Sequence, residues 1–343
     1  MTELVGELRD ALEGGEGWLV GGALRDELLG RPIVDIDLAC REPERAARVF
    51  ARAAGGAPFP LSERHGAWRI ALTNGRTVDF TPLPGSIEDD LGTRDFTLNA
   101  MARPVEGGAL VDPFDGQGDI ATRTIRAVSP GIFEADPLRL LRAVRLEDEL
   151  GFHCDAETER RVRDQAALAS RPSGERILGE LERLSTAGYR RLEELGLLTA
   201  LGGSTGYFDR IDLADSPEYR LVCALGERLR ALPISRRLGR YARTLLAAAA
   251  PGDDSPRAIH RFRRLTEPWA LDALAFVGRP DLRRAVEQAR AADPPQPLVR
   301  GDELGLAPGP EIGKLLELIA EERAAGTIST KEEALELVRR RAR

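Results

Sequence analysis

Two aspartates, Asp35 and Asp37, stand one residue apart in the apolar run IVDIDL. In a strand, alternate side chains lie on one face, so both carboxylates point one way while Val34, Ile36 and Leu38 point into a core. Like charges held together on a sheet surface repel each other, and a divalent cation between them relieves that repulsion. The spacing therefore predicts a metal site at the two aspartates.

The segment before this pair predicts a phosphate site. Residues 18–20 indicate a short buried strand, Gly21 and Gly22 a turn, and residues 23–29 a helix. A glycine turn that leads into a helix presents free backbone N–H groups and a positive dipole end to an anion. Taken singly, a glycine pair is an ordinary turn and an Asp-x-Asp strand an ordinary solvated edge. Their order is typical of a nucleotidyltransferase palm.

Five motifs in order carry a resemblance to a known family. They are WLVGGALRDELLGRPIVDIDLA (18–39), TRDFTLNAMA (93–102), VDPFDGQGDI (111–120), ADPLRLLRAVR (135–145) and GERILGEL (174–181). The set resembles the class II tRNA nucleotidyltransferases and bacterial poly(A) polymerases. The C-terminal stretch GDELGLAPGPEIGKLLELI, followed by GTISTKEEAL, is similar to the tail of the longer branch of the same family.

The resemblance implies roles for the first motif. Asp35 and Asp37 would bind catalytic Mg²⁺, and Gly21, Gly22 and Arg25 would hold the triphosphate. A third carboxylate follows from periodicity. In the predicted strand TVDFT, Asp79 points opposite to its apolar neighbours, so it should face the same open side as the aspartate pair.

The second motif carries Arg94, Asp95 and Asn99 as polar residues in an apolar stretch. In the family this motif holds the ribose and phosphates of the incoming nucleotide, which suits a guanidinium for phosphate and a carboxylate or amide for sugar hydroxyls. The chain has Thr93 where many relatives have a second arginine. The alternative is a capped helix start with a satisfied aspartate.

Base choice follows from Asp136 and Arg139, three residues apart on a predicted helix that runs to Leu150. Cytosine and adenine show an amino donor beside a ring-nitrogen acceptor, which a carboxylate beside a guanidinium complements. The family uses its (E/D)DxxR motif in this way. The alternative is a surface salt bridge. Arg142 and Arg145 would continue the basic face toward primer phosphates, or simply keep the helix soluble.

Composition favours a cytoplasmic enzyme with no membrane partner. The 343-residue chain has a net charge of −7, no long apolar run and no basic targeting start. Three scattered cysteines and three isolated histidines, none followed by aspartate, argue against a disulfide framework, a zinc site or an HD phosphohydrolase centre. Residues 218–264 hold eleven arginines against four acids, which indicates either a basic surface or ordinary solvated helix faces.

The periodicities predict an α+β fold: a nucleotidyltransferase head with a mixed sheet, then an all-helical remainder. Within the head we expect helices at 3–13 and 43–54 and strands at 18–20, 33–39, 67–73 and 76–81. The predicted divisions are a head (1–128), a neck with the base-selecting motif (129–190), a body without an HD motif (191–295) and a tRNA-binding tail (296–343). Proline-rich residues 292–298 form the last linker.

The predicted activity is template-independent addition of C, as CC or CCA, to the 3′ end of tRNA from CTP and ATP. Relatives that add all three nucleotides have a longer flexible segment before the RDFT motif. Here residues 82–93, PLPGSIEDDLGT, form a compact turn and an acidic helix start, which favours CC addition. The alternatives are a poly(A) polymerase, an A-adding enzyme, or a catalytically idle RNA-binding protein on the same scaffold.

Overall fold

The computed structural model forms two compact units, 1–201 and 202–343. It describes the residue ranges 2–62, 66–73, 75–203 and 206–341. The first unit holds a mixed sheet with helices and the second is helical, which confirms the predicted fold class. The finer division into head, neck, body and tail stays a prediction, and everything after residue 201 lies in one unit.

The sheet of the first unit has six strands in the order β3-β4-β5-β2-β1-β6. They are β1 (Gly17–Val20), β2 (Asp35–Cys40), β3 (Pro58–Ser62), β4 (Ala67–Ala71), β5 (Thr77–Pro82) and β6 (Ala102–Pro104). Strands β2 and β5 run parallel, and the other neighbours run antiparallel. A small parallel pair joins β7 (Thr124–Ile125) to β8 (His153–Cys154). Strand β3 was not predicted because Pro58 and Pro60 interrupt its pattern, and prolines are tolerated on an edge strand.

The helices of the first unit follow the strands closely in sequence. They are α1 (Thr2–Leu12), α2 (Gly22–Leu28), α3 (Pro43–Ala54), α4 (Ile87–Gly92), α5 (Gly116–Ala121), α6 (Ile132–Ala135), α7 (Leu138–Leu150), α8 (Ala156–Asp164), α9 (Gly174–Leu181), α10 (Thr186–Glu194) and α11 (Leu197–Ala200). The predicted helix through Asp136 starts later than expected. Asp136 itself is extended, because the proline after it disfavours helical backbone at the preceding residue.

The larger hydrophobic core of the first unit lies under one face of the sheet. Ile36, Leu38 and Phe80 point into it and pack with residues of α1 and α3, including Phe50. The prediction for Val34 was wrong. Its side chain is 52% exposed, because it precedes Asp35, the first residue of β2. The opposite face of β2 and β5 carries the aspartates.

The second unit is built from seven helices within the part of the chain that the structure describes. They are α12 (Pro217–Leu225), α13 (Arg236–Ala247), α14 (Pro256–Thr266), α15 (Ala270–Phe276), α16 (Arg283–Ala291), α17 (Pro310–Ala324) and α18 (Lys331–Arg341). Residues 292–300, around the predicted linker, have no regular structure. Across the described ranges, no helix has the length and apolarity needed to cross a bilayer.

The three cysteines are free and buried. Burial raises the pKa of the Cys40 thiol to about 11 and that of Cys223 to about 12. Burial also raises the pKa of Cys154. These thiols are therefore neutral packing groups near neutral pH.

The register of β2 gives a direct test of the core. Replacing Ile36, which is 1% exposed, with alanine should lower the free energy of unfolding by about 2–5 kcal/mol, because it leaves a cavity. Val34→Ala, two residues earlier, should change it by less than about 0.5 kcal/mol. Denaturant titration of both variants measures the difference, and equal losses would contradict this register.

Candidate active site

Three aspartates meet on the open face of the sheet. In the parallel ladder between β2 and β5, Asp37 pairs with Asp79 and Asp35 with Thr77. Paired residues in a ladder point to the same face, so Asp79 shares a face with the Asp-x-Asp pair. The structure thus brings together the three carboxylates that the sequence assigns to the site.

The charges of this cluster are only partly balanced by the protein. The Arg69 guanidinium donates to both oxygens of Asp79, at 2.7 and 2.6 Å, and the Thr77 hydroxyl donates to Asp35 at 2.7 Å. Burial raises the pKa of Asp37, and the charges of Asp79 and Asp35 add to this effect, while Arg94 opposes it. Asp37 therefore lies where added positive charge would be most favourable.

Gly21 closes the site from the end of β1. It has a φ of 74°, and a Cβ there would lie 3.0 Å from both an Asp37 carboxylate oxygen and an Arg94 guanidinium nitrogen. Glycine is thus required both for the backbone conformation and for the close approach. Arg94 is held in place by Asp90, which accepts from its Nε at 3.1 Å and from its Nη2 at 2.9 Å. Gly22 begins α2 beside this cluster.

Arg25 lies on the inner side of α2, with most of its N–H donors already used. The side chain is buried and donates to Asn99 at 2.8 Å and to both carboxylate oxygens of Asp26. Its visible role is to fix α2 against the 3₁₀ turn Thr97–Asn99. Direct contact between Arg25 and a triphosphate stays a prediction.

Asp95 joins that turn to α7. It accepts hydrogen bonds from the Phe96 backbone N–H at 2.8 Å and from the Asn99 amide at 3.1 Å, and forms a 2.8 Å ion pair with Arg142. Burial alone would raise the pKa of Asp95, but the Arg142 charge and the two hydrogen bonds lower it overall. The Asp95 charge raises the pKa of Arg142, whose side chain is still 43% exposed. Arg142 is thus anchored at Nε and partly open to solvent.

Asp136 and Arg139 are not paired with each other. Asp136 accepts two hydrogen bonds from Arg176 of α9, at 3.1 and 2.7 Å. Arg139 donates to the Thr93 carbonyl oxygen at 2.7 Å, and burial lowers its pKa. Each side chain is held by a different partner. The surface salt bridge between Asp136 and Arg139, which was the alternative to base selection, is therefore not formed.

The prediction that Arg145 continues a surface row toward the primer needs correction. Its side chain is only 8% exposed and lies between Glu180, at 2.5 Å, and Glu149, at 2.6 Å. At this point α7 faces α9, because residue 145 is on the side of the helix that packs inward. Arg145 is a buried structural cation.

Sequence reasoning missed two residues beside the site. Arg69 could have been found, because the predicted hairpin register places it opposite Asp79. Arg176 lies in the fifth motif, GERILGEL, but its contact with Asp136 could not have been found, because forty residues separate the two and no local pattern joins them. The motif at 111–120 serves the turn indirectly: Asp119 accepts from the Thr97 hydroxyl at 2.6 Å and is paired with Arg126.

The donor set fits a hard divalent cation that arrives with its substrate. The described residues contain no cluster of three or more His, Cys, Asp or Glu ligands arranged for a metal ion. Mg²⁺ commonly binds through one or two carboxylates together with waters and substrate phosphates. Asp35 and Asp37 can supply these two carboxylates. Asp79 is already paired with Arg69.

Comparison with known proteins shows which family the chain resembles. Residues 17–83 and 68–126 match the model of the poly(A) polymerase head domain. Over 94% of its length the chain is 34% identical to the A-adding tRNA nucleotidyltransferase of Deinococcus radiodurans, covering 94% of that protein. It is 31% identical over 92% of its length to the CC-adding tRNA nucleotidyltransferase of Thermus thermophilus, covering 91% of it.

Solved structures show the same fold. A CCA-adding enzyme of Thermotoga maritima complexed with tRNA matches with a TM-score of 0.75 at 23% identity, over 99% of this chain and 94% of that one. The CCA-adding enzyme of Bacillus stearothermophilus in complex with CTP matches with a TM-score of 0.76 at 28% identity, over 99% and 97%.

The fold and the matched head domain define a nucleotidyltransferase. The chain belongs to the family of tRNA nucleotidyltransferases whose named members add A, CC or CCA, and it is an enzyme of this kind. Enzymes of this family generally use divalent metals. The alternative of an idle RNA-binding protein is not supported.

The unfavourable charge of Asp37 predicts that removing it will stabilise the protein in a pH-dependent way. The pKa of Asp37 is raised in the fold above its ordinary value of 3.8. Ionisation of this carboxyl therefore costs stability as the pH rises above 3.8, and the full cost is reached above the folded-state pKa. Asp37→Asn should therefore unfold at higher denaturant concentration at pH 7, with the gain shrinking as the pH falls toward 4. The exposed Asp35→Asn is the control and should gain less. A loss of stability in Asp37→Asn at pH 7 would contradict this electrostatic account.

The corrected role of Arg145 predicts an effect on folding rather than on RNA. Arg145→Gln leaves Glu180 without its partner in a largely buried position, which should cost about 3–5 kcal/mol of unfolding free energy. The control is Arg183→Gln, which removes an exposed partner of the same Glu149 and should cost about 0–1 kcal/mol. Equal, small losses of unfolding free energy in denaturant titrations of the two variants would contradict a buried structural role for Arg145.

Proposed function

We propose that this enzyme adds C residues to the 3′ end of tRNA from CTP and stops at CC, without a nucleic-acid template. The observation that carries the transfer chemistry is the convergence of Asp35, Asp37 and Asp79 with Gly21 and Arg94 at one sheet face. We further propose that it acts in the cytoplasm.

In the proposed reaction the primer 3′-oxygen forms a bond to the α-phosphorus of CTP, and the bond to pyrophosphate breaks. Two Mg²⁺ ions bound by Asp35 and Asp37 would supply activation of the hydroxyl and neutralisation of phosphate charge. The Gly21–Gly22 backbone and the start of α2 would take the triphosphate, with Arg94 beside them. The proton of the attacking hydroxyl would pass to solvent water at this open face.

Base selection is assigned to Asp136 and Arg139. A carboxylate accepts from the exocyclic amino group shared by cytosine and adenine, and a guanidinium donates to the adjacent ring nitrogen. Such discrimination requires that both side chains keep fixed positions. Their contacts in the structure support this part of the proposal. Arg176 holds Asp136 and the Thr93 carbonyl holds Arg139. Arg142, anchored on Asp95, is proposed to reach a phosphate of the nucleotide or primer.

The stop at CC is supported by the segment between β5 and Arg94. Residues 87–92 form α4, and Ser86 and Asp89 cap it reciprocally: the Ser86 hydroxyl accepts from Asp89 N–H at 3.1 Å, and the Asp89 carboxylate accepts from Ser86 N–H at 3.2 Å. Just after the helix, the Arg94 guanidinium forms an ion pair with Asp90 in its last turn. A capped short helix has little freedom to reshape a pocket from C to A.

An A-adding activity is the second candidate. The Deinococcus protein that matches this chain over 94% of both lengths is named as A-adding. The Thermus protein that matches it over 92% of this chain and 91% of its own is named as CC-adding, at a similar identity of 31% against 34%. A poly(A) polymerase differs from both by extending many RNAs with ATP alone. Substrate preference therefore has to be measured.

Three tRNA substrates separate these candidates: transcripts that end before CCA, after C and after CC. With CTP and ATP supplied separately and together, a CC-adding enzyme extends the first two with CTP and leaves the third unchanged. Efficient addition of a single A to the third would overturn the stop at CC. Failure to use CTP on the first would overturn C addition, and long A tails would indicate a poly(A) polymerase.

The base-selecting pair predicts a change in discrimination. Asp136→Ala or Arg139→Ala removes half of the donor and acceptor pattern, which is worth about 1–3 kcal/mol per base contact. The ratio of kcat/KM for CTP to that for UTP should fall by about 5- to 150-fold. The control is Arg123→Ala, in the left-handed turn before β7. If this variant loses activity, its CTP to UTP ratio should still equal that of the wild type. Reduced rates with an unchanged CTP to UTP ratio would mean that the pair is structural.

A further inference from the structure

Helix α13 carries a row of exposed arginines. Arg236, Arg240 and Arg243 are spaced i, i+4 and i+7, so they lie along one face over two helical turns, about 10 Å. The opposite face packs into the core of the second unit through Leu238, Tyr241, Ala242 and Leu245. The row therefore points away from the core on a firmly packed helix.

Helix α14 carries arginines at the same spacing but uses them differently. Each of them is paired with a glutamate of α17: Arg257 with Glu322, Arg261 with Glu321 and Arg264 with Glu317. That row joins two helices of the second unit and leaves little unbalanced charge. The α14 row is thus a structural contact, and it shows how this chain neutralises an arginine row that serves packing.

The α13 row has no such counterpart. None of its three arginines makes an ion pair with a residue in the described ranges, and the recorded hydrogen bond of Arg243 goes to the Gly239 carbonyl of its own helix, at 3.3 Å. Arg236 and Arg237 also occupy the first turn, which contains no acid. Cations at a helix N-terminus oppose the helix dipole, so this arrangement weakens the helix with no compensating contact.

The row forms one wall of an open groove of about 810 Å³. Arg230, Ile234, Ser235 and Gly239 complete the lining, so the groove is strongly basic and has one larger apolar side chain. Such a surface suits a line of anionic groups better than an apolar ligand. Since the chain as a whole has a net charge of −7, the local excess is not an effect of overall composition.

We infer that the α13 row binds the phosphate backbone of an RNA duplex, as a contact for the double-stranded part of the substrate; this rests on the proposed function, in which the substrate is tRNA. Protein contacts to duplex RNA are largely to its backbone, because the deep major groove hides the bases. Guanidinium groups along a straight helix can contact successive phosphates of one strand.

The test compares two triple variants with equal charge change. Arg236→Gln, Arg240→Gln and Arg243→Gln together remove the row. The control is Arg45→Gln, Arg160→Gln and Arg283→Gln, which removes three exposed arginines that have acidic partners on their own helices or at their caps. Affinity for a tRNA lacking its 3′ CCA is measured by fluorescence anisotropy at several salt concentrations, without nucleotide. Thermal unfolding of both variants verifies the fold.

The row variant should bind this tRNA about tenfold or more weakly than the wild type, and the slope of log K against log salt should fall by about 2–3. Its KM for CTP should not change, and the control variant should retain wild-type affinity and slope. Wild-type tRNA affinity and slope in the row variant would overturn the inference, as would equal losses in both variants. Because binding is measured without turnover, a wild-type enzyme that binds tRNA through the row but adds no nucleotide would refute only the proposed function.

Discussion

The parallel pairing of β2 with β5 is the constraint on which the site depends. It sets Asp37 beside Asp79 and keeps Asp35 on the same face, so like charges are concentrated on one sheet surface. Burial and neighbouring carboxylates raise the pKa of Asp37, so the ionised cluster is electrostatically unfavourable without added cations. The apolar side chains on the reverse face hold the two strands in register despite this repulsion.

Arginine–carboxylate contacts extend from that cluster to the helices of the first unit. Arg69 and Arg94 lie at its edges, and Asp95 connects the turn before β6 to Arg142 on α7. The planar guanidinium is suited to such contacts, because it engages both oxygens of a carboxylate or bridges a carboxylate and a carbonyl. Polar contacts therefore hold the site in place on top of an apolar sheet. Small shifts in these contacts would move the side chains that we propose to contact the nucleotide.

Short-range periodicity predicted much of this site, and long-range contacts accounted for the failures. Alternation along β5 correctly oriented Asp79, and α3 was predicted at its observed bounds, since both depend only on neighbouring residues. Burial of Arg145 depends on Glu180, thirty-five residues away, and no local pattern contains that information. Likewise, Val34 was misplaced because strand pairing, and not hydrophobicity, decides where β2 begins.

The aspartate face should bind divalent ions together with a nucleoside triphosphate. Titration with Mn²⁺ in the presence of CTP, followed by electron paramagnetic resonance, measures this directly. The wild-type protein should bind two protein-dependent Mn²⁺ ions per molecule. Asp37→Asn should lose most of this binding, with its fold intact by circular dichroism. Equal Mn²⁺ stoichiometry and affinity in the two proteins would contradict this expectation.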